Sequence, residues 1–202
     1  MFKLLGKIPR KVNLAFSGGV DSLSVAHFLM KNHDVTLLHF NHGCQYSDQI
    51  EADCHHRVEN DLNGGNDGVK MVVGRIEGEC PKGQSLEDFW RRQRYKWLRS
   101  FDEPFITCHH LDDAVETWVW SSLHGEGKLI PASDNKVLRP FLLTEKSDLI
   151  KYSYKNMLVA VNDPYNSEER LTRNYIRANI MQHAYYVNPG LKKVIKKKYL
   201  CL

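Results

Sequence analysis

Ser17-Gly18-Gly19-Val20-Asp21-Ser22 gathers two glycines, two hydroxyls and a carboxylate into six residues. Such a run suits a phosphate, because the glycines let an anion approach the backbone without meeting a Cβ and the serines add donors. Asp21 would repel a bare phosphate. Its presence points to a Mg²⁺ bridging carboxylate and pyrophosphate, since that ion prefers oxygen ligands. Further on, His109, His110, Asp112, Asp113 and Glu116 bring two histidines and three acids together, the composition of a metal or acid/base cluster. His39 and His42 bracket Asn41. Glu87, Arg91 and Arg94 recur at i, i+4 and i+7 and so share one helical face, fit to hold substrate or close over a nucleotide.

These residues need elements to position them. Val12, Leu14, Ala15 and Phe16 read as a short buried strand. After the glycine-rich turn, Val20, Leu23, Ala26, Phe28, Leu29 and Met30 recur at helical spacing. The turn therefore sits at a helix N-terminus, where unpaired amides and the helix dipole favour an anion. Asp34 to Phe40, Val69 to Ile76 and Pro104 to Cys108 read as three further strands, and Val159 to Val161 as a short one. Helices are expected from Ser47 to about Leu62, from Ser85, after His110, from about Thr144 to Met157, and from Leu171 to Met181, with a loop running through Asn135. Strands alternating with helices imply an α/β fold, a doubly wound, mainly parallel sheet flanked by helices. In such sheets ligands gather beyond the carboxyl ends of the strands, where both histidine groups fall. The expected organisation is an α/β body over residues 1–142 and a small, basic helical extension over 143–202.

The 202 residues are 42% hydrophobic and 26% charged, the composition of an ordinary globular protein. No apolar run is long enough to span a bilayer, and residues 1–7 lack a signal peptide's apolar stretch, so a cytoplasmic location is expected. Five cysteines, without a Cys-x-x-Cys pair, give neither a disulfide framework nor a sequence-evident metal site. Charge is lopsided: after Glu169 there is no acid, and the segment carries +8 against −4 for the remainder. A basic end on an acidic body suits a polyanion such as nucleic acid, and Lys192 to Lys198 read either as phosphate contacts or as a solvated tail.

The hexapeptide resembles the PP-loop, Ser-Gly-Gly-x-Asp-Ser, of the N-type ATP pyrophosphatases. It lacks the Gly-Lys-Ser/Thr ending of a Walker loop, so cleavage of ATP to AMP and pyrophosphate is favoured over terminal phosphate transfer. Over nearly its whole length the chain resembles the catalytic domain of the tRNA(Ile)-lysidine synthetase family. The matching pieces occur in family order: Ser17 to Ser22, His39-x-x-His42-Gly43, Ser85-x-Glu87 with Arg91, Arg94 and Tyr95, His110-Leu111-Asp112-Asp113-x-x-Glu116-Thr117, Arg139-Pro140, and Asp163-x-x-Asn166 with Arg173-Asn174-x-x-Arg177.

That resemblance implies an adenine nucleotide alpha hydrolase-like fold and ATP and Mg²⁺ as cofactors. The substrates would be L-lysine and the anticodon loop of an isoleucine tRNA, whose wobble cytidine becomes lysidine. It implies that Ser17, Gly18, Gly19, Asp21, Ser22, His39 and His42 hold the nucleotide and that Asp21 and Asp113 lie near Mg²⁺. Asp21, His110, Asp112, Asp113, Glu116 and Arg173 would serve the reacting centre. Glu87, Arg91, Arg94, Arg139, Asn166, Arg173 and Arg177 would face substrate or RNA. The chain departs from the family at Cys44-Gln45 and at His124-Gly125-Glu126-Gly127, and the family's C-terminal tRNA-binding domains are not in the sequence. A homodimer or a partner protein would replace them. Two other readings stay open, a PP-loop enzyme adenylating a different base or a small substrate, and a non-catalytic nucleic-acid-binding remnant.

Overall fold

Strand β1 (Lys11–Ala15) lies at the centre of the sheet, because Val12 and Leu14 are apolar and buried and Asn13 satisfies its amide on the Glu103 carbonyl at 3.3 Å. On one side it pairs in parallel with β2 (Asp34–Asn41), which pairs with β3 (Met71–Arg75). On the other it pairs with β4 (Phe105–Ile106), then β6 (Val137–Leu138), with β5 (Ser133–Asp134) antiparallel at the edge. The order β3-β2-β1-β4-β6-β5 makes a six-stranded, mainly parallel α/β sheet. The computed structural model describes residues 2–63, 68–162, 164 and 172–201, with backbone only at Thr172 and Arg173.

Helices cover both faces, as a parallel sheet requires. They are α1 (Val20–Leu29), α2 (Ser47–Arg57, running on as π-helix to Leu62), α3 (Leu86–Leu98), α4 (Leu111–Ser122) and α5 (Lys146–Lys155). Next come α6 (Thr172–Tyr175), which passes through a π-helical turn into α7 (Met181–Val187), and α8 (Leu191–Leu200). One core packs α1 and α5 on the sheet through Leu14, Leu23, Leu29, Leu37, Phe141 and Leu149. The opposite face packs Tyr95 and Leu98 of α3 against Leu38, Phe105 and Val137. A third cluster joins α4 to α8 through Leu111, Val115, Leu191, Ile195 and Tyr199. The N-terminal residues are drawn into this body: Lys3 N–H donates to Thr144 Oγ1 at 3.0 Å, and the Thr144 hydroxyl donates back to the Lys3 carbonyl at 2.9 Å.

Two expectations are corrected. Val159 to Val161 is not a strand; Val161 N–H instead donates to the Gly18 carbonyl at 2.9 Å, so the segment braces a loop rather than extending the sheet. The expected loop through Asn135 contains the β5–β6 hairpin, closed by Asn135 at φ 53°, a left-handed conformation that asparagine tolerates.

Candidate active site

The strand order reverses between β1 and β4: the chain leaves β1 toward β2 and β3, then crosses back to β4. Ligand crevices form beyond the carboxyl ends of strands at such a point. Here a cavity of about 460 Å³ opens there, lined by Ser17, Gly19, Asp21, Ser22, His39, His42, Arg94, Cys108 and Asp113 among others.

The loop after β1 is built to leave amides free. Gly19 caps α1 in an extended conformation, with no side chain to accept from the first-turn N–H groups. Ser22 Oγ donates to the Gly19 carbonyl at 3.1 Å and accepts from Ser17 N–H at 3.2 Å, which folds the loop on itself. Gly18 has φ 74°, and a Cβ there would stand 2.7 Å from Cys54 Sγ and from Val161 Cγ2, so only glycine fits.

The facing loop after β4 supplies the acids. His110 caps α4 reciprocally: its own N–H donates to Asp113 Oδ2 at 2.9 Å, while its Nδ1 accepts from Asp113 N–H at 3.4 Å. Nδ1 being an acceptor, neutral His110 carries its proton on Nε2, which lies 3.8 Å from Asp21 Oδ2. Both oxygens of Asp21 accept from Lys146 Nζ at 2.6 Å. Lys146, the first residue of α5, belongs to no recognisable sequence motif. Its only sequence signal is a cation at a helix start, where a cation is unfavourable unless something else holds it.

Asp112, one residue before Asp113, does not line the cavity. Its Oδ2 accepts from Lys146 N–H at 2.8 Å and its Oδ1 lies 2.5 Å from Lys192 Nζ of α8. Burial alone would raise its pKa, but the Lys146 amide and the Lys192 ammonium outweigh it and hold the carboxyl below its usual range. Glu116 binds the Arg177 guanidinium through two contacts of 2.8 Å, and Arg177 also reaches Asp113 at 3.4 Å. Lys192 and Lys196 are thus internal partners of Asp112 and Glu145, not tail residues, while Lys193, Lys197 and Lys198 are exposed.

On the other wall, His39 Nδ1–H donates to the Phe16 carbonyl at 3.1 Å, tying β2 to the loop, and burial lowers its pKa. His42 is pushed down to about 4, first by burial and then by the nearby Arg94 and His39, so its ring is neutral. It packs on Phe40 and Trp90. Helix α3 divides the residues expected on one face: Arg94 lines the cavity, Arg91 and Arg139 line a separate groove, and Glu87 lines neither. Asn166 and the Arg173 side chain lie outside the described residues.

Among the described residues no group of three or more His, Cys, Asp or Glu forms a metal cage. Mg²⁺ does not need one, since it is usually held by one or two carboxylates together with substrate phosphates. Asp21 and Asp113, both on the cavity wall, fit that role.

The PP-loop domain family matches residues 3–184. The chain belongs to this family. Among its relatives, the tRNA(Ile)-lysidine synthase of Vibrio vulnificus is 28% identical over 193 residues, covering 85% of this chain and 43% of that protein. The tRNA(Ile)-lysidine synthase of Pseudomonas aeruginosa is 31% identical over 186 residues, covering 83% and 40%. The PP-loop chain thus spans less than half the length of these relatives. A U34-tRNA thiolase from Methanococcus maripaludis, solved with its [4Fe-4S] cluster, superposes with a TM-score of 0.69 at 20% identity over 96% of this chain and 72% of that one. At that identity the likeness speaks for the fold alone.

Proposed function

We propose that this PP-loop chain binds ATP over the Ser17–Ser22 loop, splits it between the α and β phosphates, and uses the adenylate to modify a tRNA base. The finer reading is lysidine formation: the C2 oxygen of a wobble cytosine attacks the α-phosphorus and pyrophosphate leaves, then the lysine amine attacks C2 and AMP leaves. The observation that carries the proposal is the uncapped α1 N-terminus, bearing Asp21 in its first turn, beside a cavity whose other wall carries Asp113 from the β4–α4 side of the strand-order reversal. The relatives named tRNA(Ile)-lysidine synthase support a tRNA substrate, and the lysine is part of this proposal.

In this reading the free first-turn amides of α1 and the Ser17 hydroxyl hold phosphate oxygens. Mg²⁺, held by Asp21 and Asp113, would neutralise the charge that develops as pyrophosphate leaves. Lys146 places a second positive charge beside the same carboxylate, and electrostatic stabilisation of this kind is usually the largest catalytic contribution. The wall of buried Leu38, Phe40 and Leu98, with half-buried Ile50, gives an apolar seat for a base.

Incubation with α-labelled ATP, Mg²⁺, lysine and bulk tRNA should release AMP, and nucleoside mass spectrometry should show cytidine converted to lysidine. ADP as the sole nucleotide product would refute the cleavage. AMP release that ignores lysine would refute lysidine while leaving tRNA adenylation standing.

A further inference from the structure

Helix α3 separates two hollows. Behind it, between α3 and the β5–β6 edge, lies an open groove of about 910 Å³ lined by Arg91, Arg92, Lys96, Arg99 and Arg139, with Asp88 and Asp134 as its carboxylates. The floor is unusual. Arg139 is 5% exposed; its Nη1 donates to the Pro131 carbonyl at 2.8 Å, but its buried Nε has no hydrogen-bond partner among the described residues. The hydroxyl of Tyr95, a residue 7% exposed, is buried and unpartnered in the same way. Asp134 is 3.5 Å from Arg99 and makes no ion pair with Arg139 among the described residues. A guanidinium taken this far out of water without a carboxylate is strongly disfavoured, and two residues of one groove that each carry a buried, unsatisfied donor call for an acceptor. The exposed guanidiniums of Arg91 and Arg99 sit over the Tyr95 ring at 5.1 and 5.5 Å, so positive charge stands at the mouth above the floor.

We infer that this groove binds a backbone phosphate of the RNA substrate, outside the nucleotide cavity; the inference rests on the tRNA reading above. A phosphodiester offers acceptor oxygens that match the arginine fork and the tyrosine hydroxyl. Tyr95 lines both hollows. They therefore stand about one helix diameter apart, roughly 10 Å, a span that the nucleotides next to a bound base on the same strand can cross. A base seated in the cavity thus leaves a neighbouring phosphate within reach of the groove, while the phosphates of ATP belong on the other side of α3.

The test measures binding of an anticodon stem-loop RNA against salt concentration for the wild-type chain, Arg99→Gln and Arg139→Gln. Each variant should lower the slope of log K against log salt by about 0.7 to 0.9, the loss of one phosphate contact, with ATP affinity unchanged. Arg99 is exposed, so its variant stays informative if Arg139→Gln fails to fold. A neutral methylphosphonate at the contacted position should lower the wild-type slope equally and leave Arg99→Gln without further effect. Phenylglyoxal labelling of Arg99 identifies the anion: RNA should protect, and inorganic phosphate at the same phosphate concentration should not. An unchanged slope in Arg99→Gln, or equal protection by inorganic phosphate, overturns the groove while leaving the tRNA reading intact. Failure of the wild-type chain to bind RNA at all overturns both.

Discussion

At the scale of single residues, Lys146 is the most informative side chain. Its ammonium grips both oxygens of Asp21 across 125 positions of sequence, which no local pattern could announce. Lys146→Met should therefore lower AMP formation by about 10²- to 10³-fold, the scale of removing one preorganised charge donor, while ATP affinity falls much less. Single-turnover AMP release alongside equilibrium ATP binding would show this; parallel losses in both would reduce Lys146 to a binding group. His42 gives a pH signature. Its folded pKa, about 4, lies below the ordinary value of 6.5, so the unfolded chain takes up its proton first as pH falls. Its contribution to stability is full above about pH 6.5 and shrinks by about 3 kcal/mol as pH drops to about 4. His39, also lowered, acts in the same direction. Thermal melts of wild type and His42→Gln should converge across that window, and an unchanged gap would contradict the assignment.

Among the elements, the β1–α1 loop shows what the sequence disclosed and what it withheld. The hexapeptide pointed to an anion site because glycine, serine and aspartate after a strand have few other uses. It could not reveal that Cys54 and Val161 stand directly behind Gly18. Gly18→Ala must both adopt a positive φ and displace that wall, so it should destabilise the chain by about 1–3 kcal/mol and abolish ATP binding. Denaturant midpoints and nucleotide titration would measure the two effects, and a variant that still binds ATP normally would contradict this account. Strands β1 to β3 were legible as apolar runs. The β5–β6 hairpin was not, since its strands have two residues each and β5 is exposed, leaving no periodicity to read. The two-sided role of α3 was hidden for a related reason: helical spacing placed Arg91 and Arg94 together, but only the edge hairpin determines which hollow each one enters.

For the molecule as a whole, charge distribution predicted a basic end but not its internal use. Leu191, Ile195 and Tyr199 of α8 are buried against α4, and Lys192 and Lys196 hold Asp112 and Glu145. Ile195→Ala should thus cost about 2–5 kcal/mol, visible as a lower denaturant midpoint. Changing the exposed Lys193, Lys197 and Lys198 to Gln should leave that midpoint within about 0.5 kcal/mol. A comparable loss in the triple variant would mean that the surface lysines, not the buried face, secure the helix. The joining of Lys3 to Thr144 has a kinetic consequence. Those partners are 141 positions apart, and the central strand β1 likewise waits for β4, made some ninety residues later. A chain emerging from the ribosome therefore has to keep its first strands half-paired until β4 and Thr144 have been made. Such non-local pairing slows folding, and the aggregation hazard is greatest before residue 144 appears.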